Sequence, residues 1–270
     1  MRISHDRIKA ATEEMTVIYE LNIPQKAAPL FKGWHETMIW SCLQGIMGKI
    51  YTDNIEKPAC AMAVLGDFYF LAGKPNTELA QYDPQRKKFR IIVPQNDAIA
   101  ACIESCYKNK AKKVTRYAIK KDPKVFDKKR LQSIVDSLSD SYELRMVDEE
   151  MFGRLVHISW CKDWVSQYSS YQAYQKYGIG AVICKDGEPV SGASSYSGYA
   201  GGIEVEIDTR KDYRRKGLAS VCGAKLVLEC LERGWYPSWD AQNLWSVALA
   251  EKLGYHFDRA YPAYEIDQDT

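Results

Sequence analysis

Glu204-Val205-Glu206-Ile207-Asp208-Thr209, followed after three residues by Tyr213-Arg214-Arg215-Lys216-Gly217-Leu218-Ala219, is the stretch that decides the fold. Apolar side chains at 205 and 207 alternate with carboxylates at 204, 206 and 208, the period-two pattern of a strand with two unlike faces. The strand runs into a basic loop that opens a long apolar helix over residues 216–233, stopped at Gly234. At such a corner consecutive backbone N–H groups at a helix start can point at one anion. Gly217 allows a ligand to approach the backbone, Ala219 keeps the first turn small, and Arg214, Arg215 and Lys216 surround the place with positive charge. Neither G-x-x-x-x-G-K-[ST] nor G-x-G-x-x-G occurs. The residues alone leave two readings open, a pyrophosphate cradle or a basic helix start without a ligand.

Working outward, a strand at 236–239 and a helix at 243–253 closed by Gly254 follow the corner. Before it lie a strand at 142–147, helices through Trp160 and Tyr177, and strands at 179–185, 189–196 and 203–209, the first two joined by the Asp186-Gly187 turn. The earlier part carries a helix-spaced apolar run through Leu30, Trp34, Met38, Ile39 and Leu43. Strands at 49–52, 58–65 and 68–72 come next, with Gly66-Asp67 as a hairpin turn, then a strand at 89–93, a helix at 97–107 and a strand at 114–119. The order β-β-β-α-β thus occurs twice. It predicts an N-terminal α+β unit over residues 1–135 and a second unit over 136–270, with the boundary between 125 and 141. The first reads as a diverged copy without a cofactor site, because its loop at Pro94-Gln95-Asn96 has no glycine cradle.

At 270 residues, with 46% hydrophobic and 27% charged side chains, the chain can build ordinary packed cores. A net charge of +2 supplies no field of the kind that dominates nucleic-acid binding. Residues 1–6 are not followed by an apolar stretch, and no run reaches the length of a membrane span, so the reading is a cytoplasmic protein with neither nucleic acid nor membrane as partner. Eight cysteines show no C-x-x-C pair, and the four histidines add no helical partner to Cys102 and Cys106, so they read as reduced thiols and no metal site is expected. The strongest charge bias, eleven Lys or Arg against two Asp in residues 108–130, reads as a solvated strip or an anion-binding one.

Arg214-x-x-Gly217-x-Ala219 after a strand resembles the [QR]-x-x-G-x-[GA] acetyl-coenzyme A loop of the GNAT N-acetyltransferase superfamily. It is joined by Asn243-x-x-Ser246 and by Ala250-Glu251-Lys252-Leu253-Gly254-Tyr255, similar to the superfamily's later coenzyme-A motif. Together with Trp239-Asp240-Ala241-x-Asn243, the wording looks closest to the subgroup that includes the zwittermicin A resistance acetyltransferases. The resemblance covers about residues 203–255. It implies a mixed, largely antiparallel α/β fold flanked by helices and a cytoplasmic acetyl-CoA-dependent acyltransferase acting on a small primary amine, an amino-polyol or antibiotic-like compound, with a homodimer allowed. It places the cofactor on Ile207, Asp208, Thr209, Arg214, Arg215, Lys216, Gly217, Leu218, Ala219, Ser220, Asn243 and Ser246.

Direct attack of an amine on a thioester needs a base for the ammonium proton and donors for the developing negative charge. In resembling enzymes this strand carries the base, which makes Glu206 the first choice and Glu204 the second; carboxylates that merely attract a cation, or are solvated, are the alternative. The family often has a tyrosine acid where Ala250 stands here. Tyr255 or Tyr264 would have to replace it, or the thiol, with a pKa near ~8.5, leaves unaided. Tyr168, Tyr171, Tyr174 and Tyr177 recur every three residues and read as packing or as an aromatic cradle for the acceptor, whereas Trp235, Trp239 and Trp245 read as core or cleft lining. The competing functions are a non-catalytic coenzyme-A sensor and an aminoacyl transferase using charged tRNA, which the intact coenzyme-A loop opposes.

Overall fold

The computed structural model describes residues 17–267; residues 1–6, read above for a leader, lie outside them. Strands of the first half are β1 (Tyr19–Glu20), β2 (Lys49–Thr52), β3 (Cys60–Leu65), β4 (Phe68–Gly73), β5 (Phe89–Pro94) and β6 (Ala111–Ile119). The second half adds β7 (Glu143–Met146), β8 (Gly180–Lys185), β9 (Glu188–Tyr199), β10 (Gly202–Thr209), β11 (Tyr236–Ser238), β12 (Asp240–Ala241) and β13 (Phe257–Asp267). They form an eight-stranded sheet, β1-β2-β3-β4-β5-β13-β6-β12, and a five-stranded one, β11-β10-β9-β8-β7. The helices are α1 (Thr37–Gln44), α2 (Thr77–Gln81), α3 (Asp97–Tyr107), α4 (Lys128–Asp136), α5 (Glu149–Leu155), α6 (Tyr171–Tyr177), α7 (Leu218–Glu232) and α8 (Leu244–Lys252). This is the mixed, mostly antiparallel α/β architecture the sequence predicts.

The pairing follows one scheme in both halves. Each contains a parallel pair, β4 with β5 and β10 with β11, followed by a helix and a last strand. The last strands then cross over: β13 pairs with β5 of the first half, β6 pairs with β12 of the second, and β6 and β13 run antiparallel along each other from Phe257↔Ile119 to Ile266↔Ala111. A division at residue 135 is therefore not how the strands partition, since β12 and β13 belong to the sheet built by the first half. Reciprocal pairing satisfies the backbone groups that each half would otherwise leave at a free edge.

Local chemistry accounts for the turns and for one departure. The β8–β9 hairpin turns on Asp186 (φ +52°) and Gly187 (φ +80°), the left-handed pair that matches strand twist. The apolar run from Leu30 to Leu43 is not one helix. A 3-10 segment, Pro24–Phe31, ends before Gly33 (φ +79°), and α1 begins only after an extended Glu36. Helix α7 is buried on several sides, by Leu218, Val221, Cys222, Ala224, Leu226, Val227 and Cys230, because it packs on the five-stranded sheet and is covered by α4. Gly223 permits the close approach of α8's end: a Cβ there would lie 2.7 Å from Leu253 Cδ1.

Candidate active site

Strand β10 pairs with β11 only over Gly202, Ile203 and Glu204, after which the chain beyond β11 leaves it to form β12 in the other sheet. The two backbones part at Glu204, and the gap opens toward the start of α7. Gly217, the residue before that helix, has φ +81° and supplies no side-chain cap. A Cβ on it would meet nothing within 4 Å. The orphan N–H groups of a helix start, left without a side-chain acceptor beside open space, make a cradle for an anion. The matching helix of the first half, α2, is five residues long and its start is occupied by Asn76, whose side chain accepts from Leu79 N.

A cleft of about 690 Å³ lies along this corner. Ile207, Asp208, Thr209, Arg214, Arg215, Gly217, Leu218, Ala219, Ser220, Asn243 and Ser246, all expected from the sequence, line it. Lys216 does not. Arg215 adopts φ +61°, and the Lys216 Nζ lies 4.4 Å from the centroid of the Tyr213 ring, while its side chain lines an adjoining groove together with Arg130 and Lys252. Arg214 is held by donation from Nε to the Thr209 carbonyl at 3.1 Å. Asn243 caps α8 by accepting from Ser246 N at 2.9 Å. Trp245, read as lining, stands 86% exposed at the rim.

A smaller pocket of about 160 Å³ adjoins the cleft and shares Ile207, Gln242 and Ser246 with it. Four carboxylates line it: Asp67 from the first half, and Asp163, Glu206 and Asp240 from the second. Two are neutralised, Asp67 by Lys87 at 2.7 Å and Asp240 by Arg116 at 2.6 Å. Phe68, Tyr196 and Trp239 supply aromatic walls. Tyr196 sits at a bulge of β9, between the pairs Glu204↔Ser197 and Val205↔Ser195, and its hydroxyl accepts from Asp67 N at 3.0 Å.

The three carboxylates on one face of β10 end in three environments. Glu204, still paired with β11, is buried against α1, where one oxygen accepts from Thr37 Oγ1 and the other has no partner. It lines neither the cleft nor the pocket, which removes it as a base in contact with substrate. Glu206 lies just past the divergence and faces the pocket, and among the described residues no group donates a hydrogen bond to it. Burial, reinforced by Asp208 and Asp163 and opposed by Arg116, pushes its carboxyl up to about 8. Asp208, also raised by burial, faces the larger cleft.

Neither tyrosine considered as an acid lines the cleft or the pocket. Tyr255 is buried between Phe126 and Trp239 and donates its hydroxyl to the Pro237 carbonyl at 2.7 Å. Tyr264 is in the eight-stranded sheet and donates to Glu104 at 2.5 Å. Nor do the four tyrosines at three-residue spacing form a cradle. Tyr168 and Tyr174 are buried with ring centroids 5.0 Å apart, packed in a cluster with Phe152 and Trp164, and Tyr168 precedes α6. Asp163, Asp67 and Arg116 were not singled out from the sequence: the first belongs to no motif, the second reads as a turn residue, and the third is hidden in the basic strip.

A parallel pair that splays beside an uncapped helix start, with a free carboxyl where the gap begins, defines an acyltransferase corner of the GNAT type. The chain belongs to the GNAT acetyltransferase family, whose model matches residues 28–264 and therefore includes the first half. It is an N-acetyltransferase. The crystal structure of a GCN5-related N-acetyltransferase-like protein from Streptococcus suis is 45% identical, covers 90% of this chain and 98% of its own, and superposes with a TM-score of 0.86. The uncharacterized N-acetyltransferase YdfB of Bacillus subtilis is 26% identical over 240 residues, 84% of this chain and 89% of that protein. A tandem GNAT protein from the clavulanic acid biosynthesis pathway, 9% identical with a TM-score of 0.54 over 93% of this chain and 98% of its own, shares the fold. Members of this family use acetyl-CoA as acyl donor. Among the described residues no helix is long and apolar enough to cross a membrane.

Proposed function

We propose that this N-acetyltransferase carries an acetyl group from acetyl-CoA to the primary amine of a small, cationic molecule held in the acidic pocket. The observation that carries the reading is the position of Glu206: a carboxyl without a hydrogen-bond donor, raised to about 8, in a pocket continuous with the cleft at the start of α7. The Gly217 corner fits a pyrophosphate, and Ile207, Gln242 and Ser246 border both the cleft and the pocket. Glu206 takes the ammonium proton, directly or through a water, and Asp163 draws the cation in. A base whose pKa lies near working pH is the efficient one for this transfer. A coenzyme-A sensor without catalysis would have no use for that free carboxyl. The likeness of residues 206–219 and 239–255 to the zwittermicin A resistance acetyltransferases favours an amino-polyol among the possible amines.

The reading is tested by release of free coenzyme A from acetyl-CoA in the presence of amino-polyols, mono- and diamines, and anionic amino acids. Cationic amines should be turned over and anionic ones should not. Thiol release that is the same with and without every amine would contradict it.

A further inference from the structure

Ala250 fills the helix position where related enzymes carry a tyrosine acid, and it is fully buried. With Tyr255 and Tyr264 committed to Pro237 and Glu104, the departing sulfur lacks a donor of the usual kind. Ile207, Gln242 and Ser246 are the residues common to the cleft and the acidic pocket, and so border the place where cofactor and acceptor meet. Ile207 has no side-chain donor, and Gln242 is exposed. Ser246 is half-buried on the first turn of α8, one turn before Ala250.

The surroundings of Ser246 orient its hydroxyl. Its Oγ accepts from Trp239 Nε1 at 3.0 Å, and an indole N–H can only donate. The serine's own proton must therefore point away from Trp239. Among the described residues no protein acceptor takes it, while the backbone N–H of the same residue is held by Asn243. With the Trp239 direction closed to it, the proton is confined to the remaining staggered positions, and a donor restricted in this way needs less reorganisation when charge develops.

We propose that Ser246 donates the hydrogen bond to the coenzyme-A sulfur as it leaves, in place of the family's tyrosine; this rests on the function proposed above. In the step, the amine nitrogen bonds to the carbonyl carbon and the carbon–sulfur bond breaks with its electron pair on sulfur. The nitrogen gives up two protons on the way from ammonium to amide: Glu206 takes the first before attack and passes it to solvent, and it takes the second as the carbon–sulfur bond breaks. The sulfur departs as a thiolate held by the Ser246 hydroxyl, which keeps its own proton, and solvent protonates it afterwards. Serine is too weak an acid to surrender a proton to a thiolate whose conjugate acid ionises near ~8.5, so the role is donation of a hydrogen bond and not proton transfer.

The test needs no acceptor. Binding of coenzyme A is first measured by calorimetry with wild type, Ser246→Ala and Ser246→Thr, and the bound thiol is then titrated by the ultraviolet absorbance of its thiolate. Ser246→Ala should still bind coenzyme A in the thiol form, and its bound thiol should titrate higher, leaving about tenfold less thiolate below the midpoint, as loss of one hydrogen bond to a charged acceptor requires. Ser246→Thr keeps the hydroxyl and should titrate like wild type. Identical titrations for wild type and alanine variant would overturn the proposal, as would a threonine variant that behaves like alanine. Loss of coenzyme-A binding in the alanine variant alone would make Ser246 a binding residue and also overturn it. A wild-type protein that binds no coenzyme A would fail at the calorimetric stage, removing the proposed function as well.

Discussion

Arg116, on the last strand of the first half, grips Asp240 at the splay of the second, with Nη2 2.6 Å and Nε 2.7 Å from the same carboxylate oxygen. Tyr261 donates to the other oxygen at 2.7 Å, and the guanidinium lies 4.8 Å from the Phe68 ring centroid. The pair lines the acidic pocket and joins β6 to β12, so one contact shapes the proposed acceptor pocket and ties the halves together. Removing one partner strands a buried charge. Arg116→Ala should cost about 3–5 kcal/mol in urea unfolding. Asp240→Asn, which keeps an oxygen for Tyr261, should cost less, and equal, small losses in both would show that the pair contributes little.

Glu36, at the start of α1, is 3% exposed, and burial, with help from Asp240 and Glu204 against Lys121 and Arg259, raises its carboxyl from 4.5 to about 8. The folded state therefore holds a proton that the unfolded chain releases between those values. Stability attributable to this group falls as pH rises from about 4.5 through about 8 and is level above. Glu36→Gln removes the ionisation. Its melting temperature should match wild type near about pH 5 and exceed it near about pH 9 by on the order of 4 °C or more. An offset that does not change with pH would contradict the raised carboxyl.

As the proposed base, Glu206 must be ionised to act, so the sign runs toward activity at higher pH. With its carboxyl raised to about 8, kcat/KM should climb through that value, and Glu206→Gln should lose this limb. Turnover should fall by ~10²- to 10⁴-fold, as expected when a general base is removed, with acetyl-CoA affinity unchanged. Arg116 opposes the rise, so a stable Arg116→Gln enzyme should show the limb displaced to still higher pH. A Glu206→Gln enzyme with wild-type turnover across the range would end the assignment.

The corner at Gly217 and the helix that opens at Asn243 could be read from sequence because both are local: a glycine before a helix and an Asn at its start depend on a few neighbours. The exchange of β6 and β13 could not, since strand partners far apart in the chain leave no periodic mark. Arg116 was hidden for the same reason: its partner lies 124 residues on, and nothing in a run of basic residues marks the buried one. Strand parity correctly grouped Glu204, Glu206 and Asp208, yet where β11 leaves β10 decides which of them meets the pocket. Lys216 does not line the cleft with its two basic neighbours, and Arg215 just before it is left-handed, a local backbone turn that a run of basic residues does not announce.

Acetyl-CoA bound at the Gly217 corner, once per chain, is the proposal that calorimetric titration into wild type and Gly217→Val decides. Gly217 has φ +81°, a conformation that costs an ordinary residue about 1–2 kcal/mol, so the variant should keep its fold while the loop abandons the cradle. Wild type should bind one acetyl-CoA per chain, and Gly217→Val should bind at least ~10-fold more weakly, the equivalent of that strain. Equal affinity in the two proteins, or a second equivalent bound per chain, would mean that the Gly217 corner is not the single acetyl-CoA site.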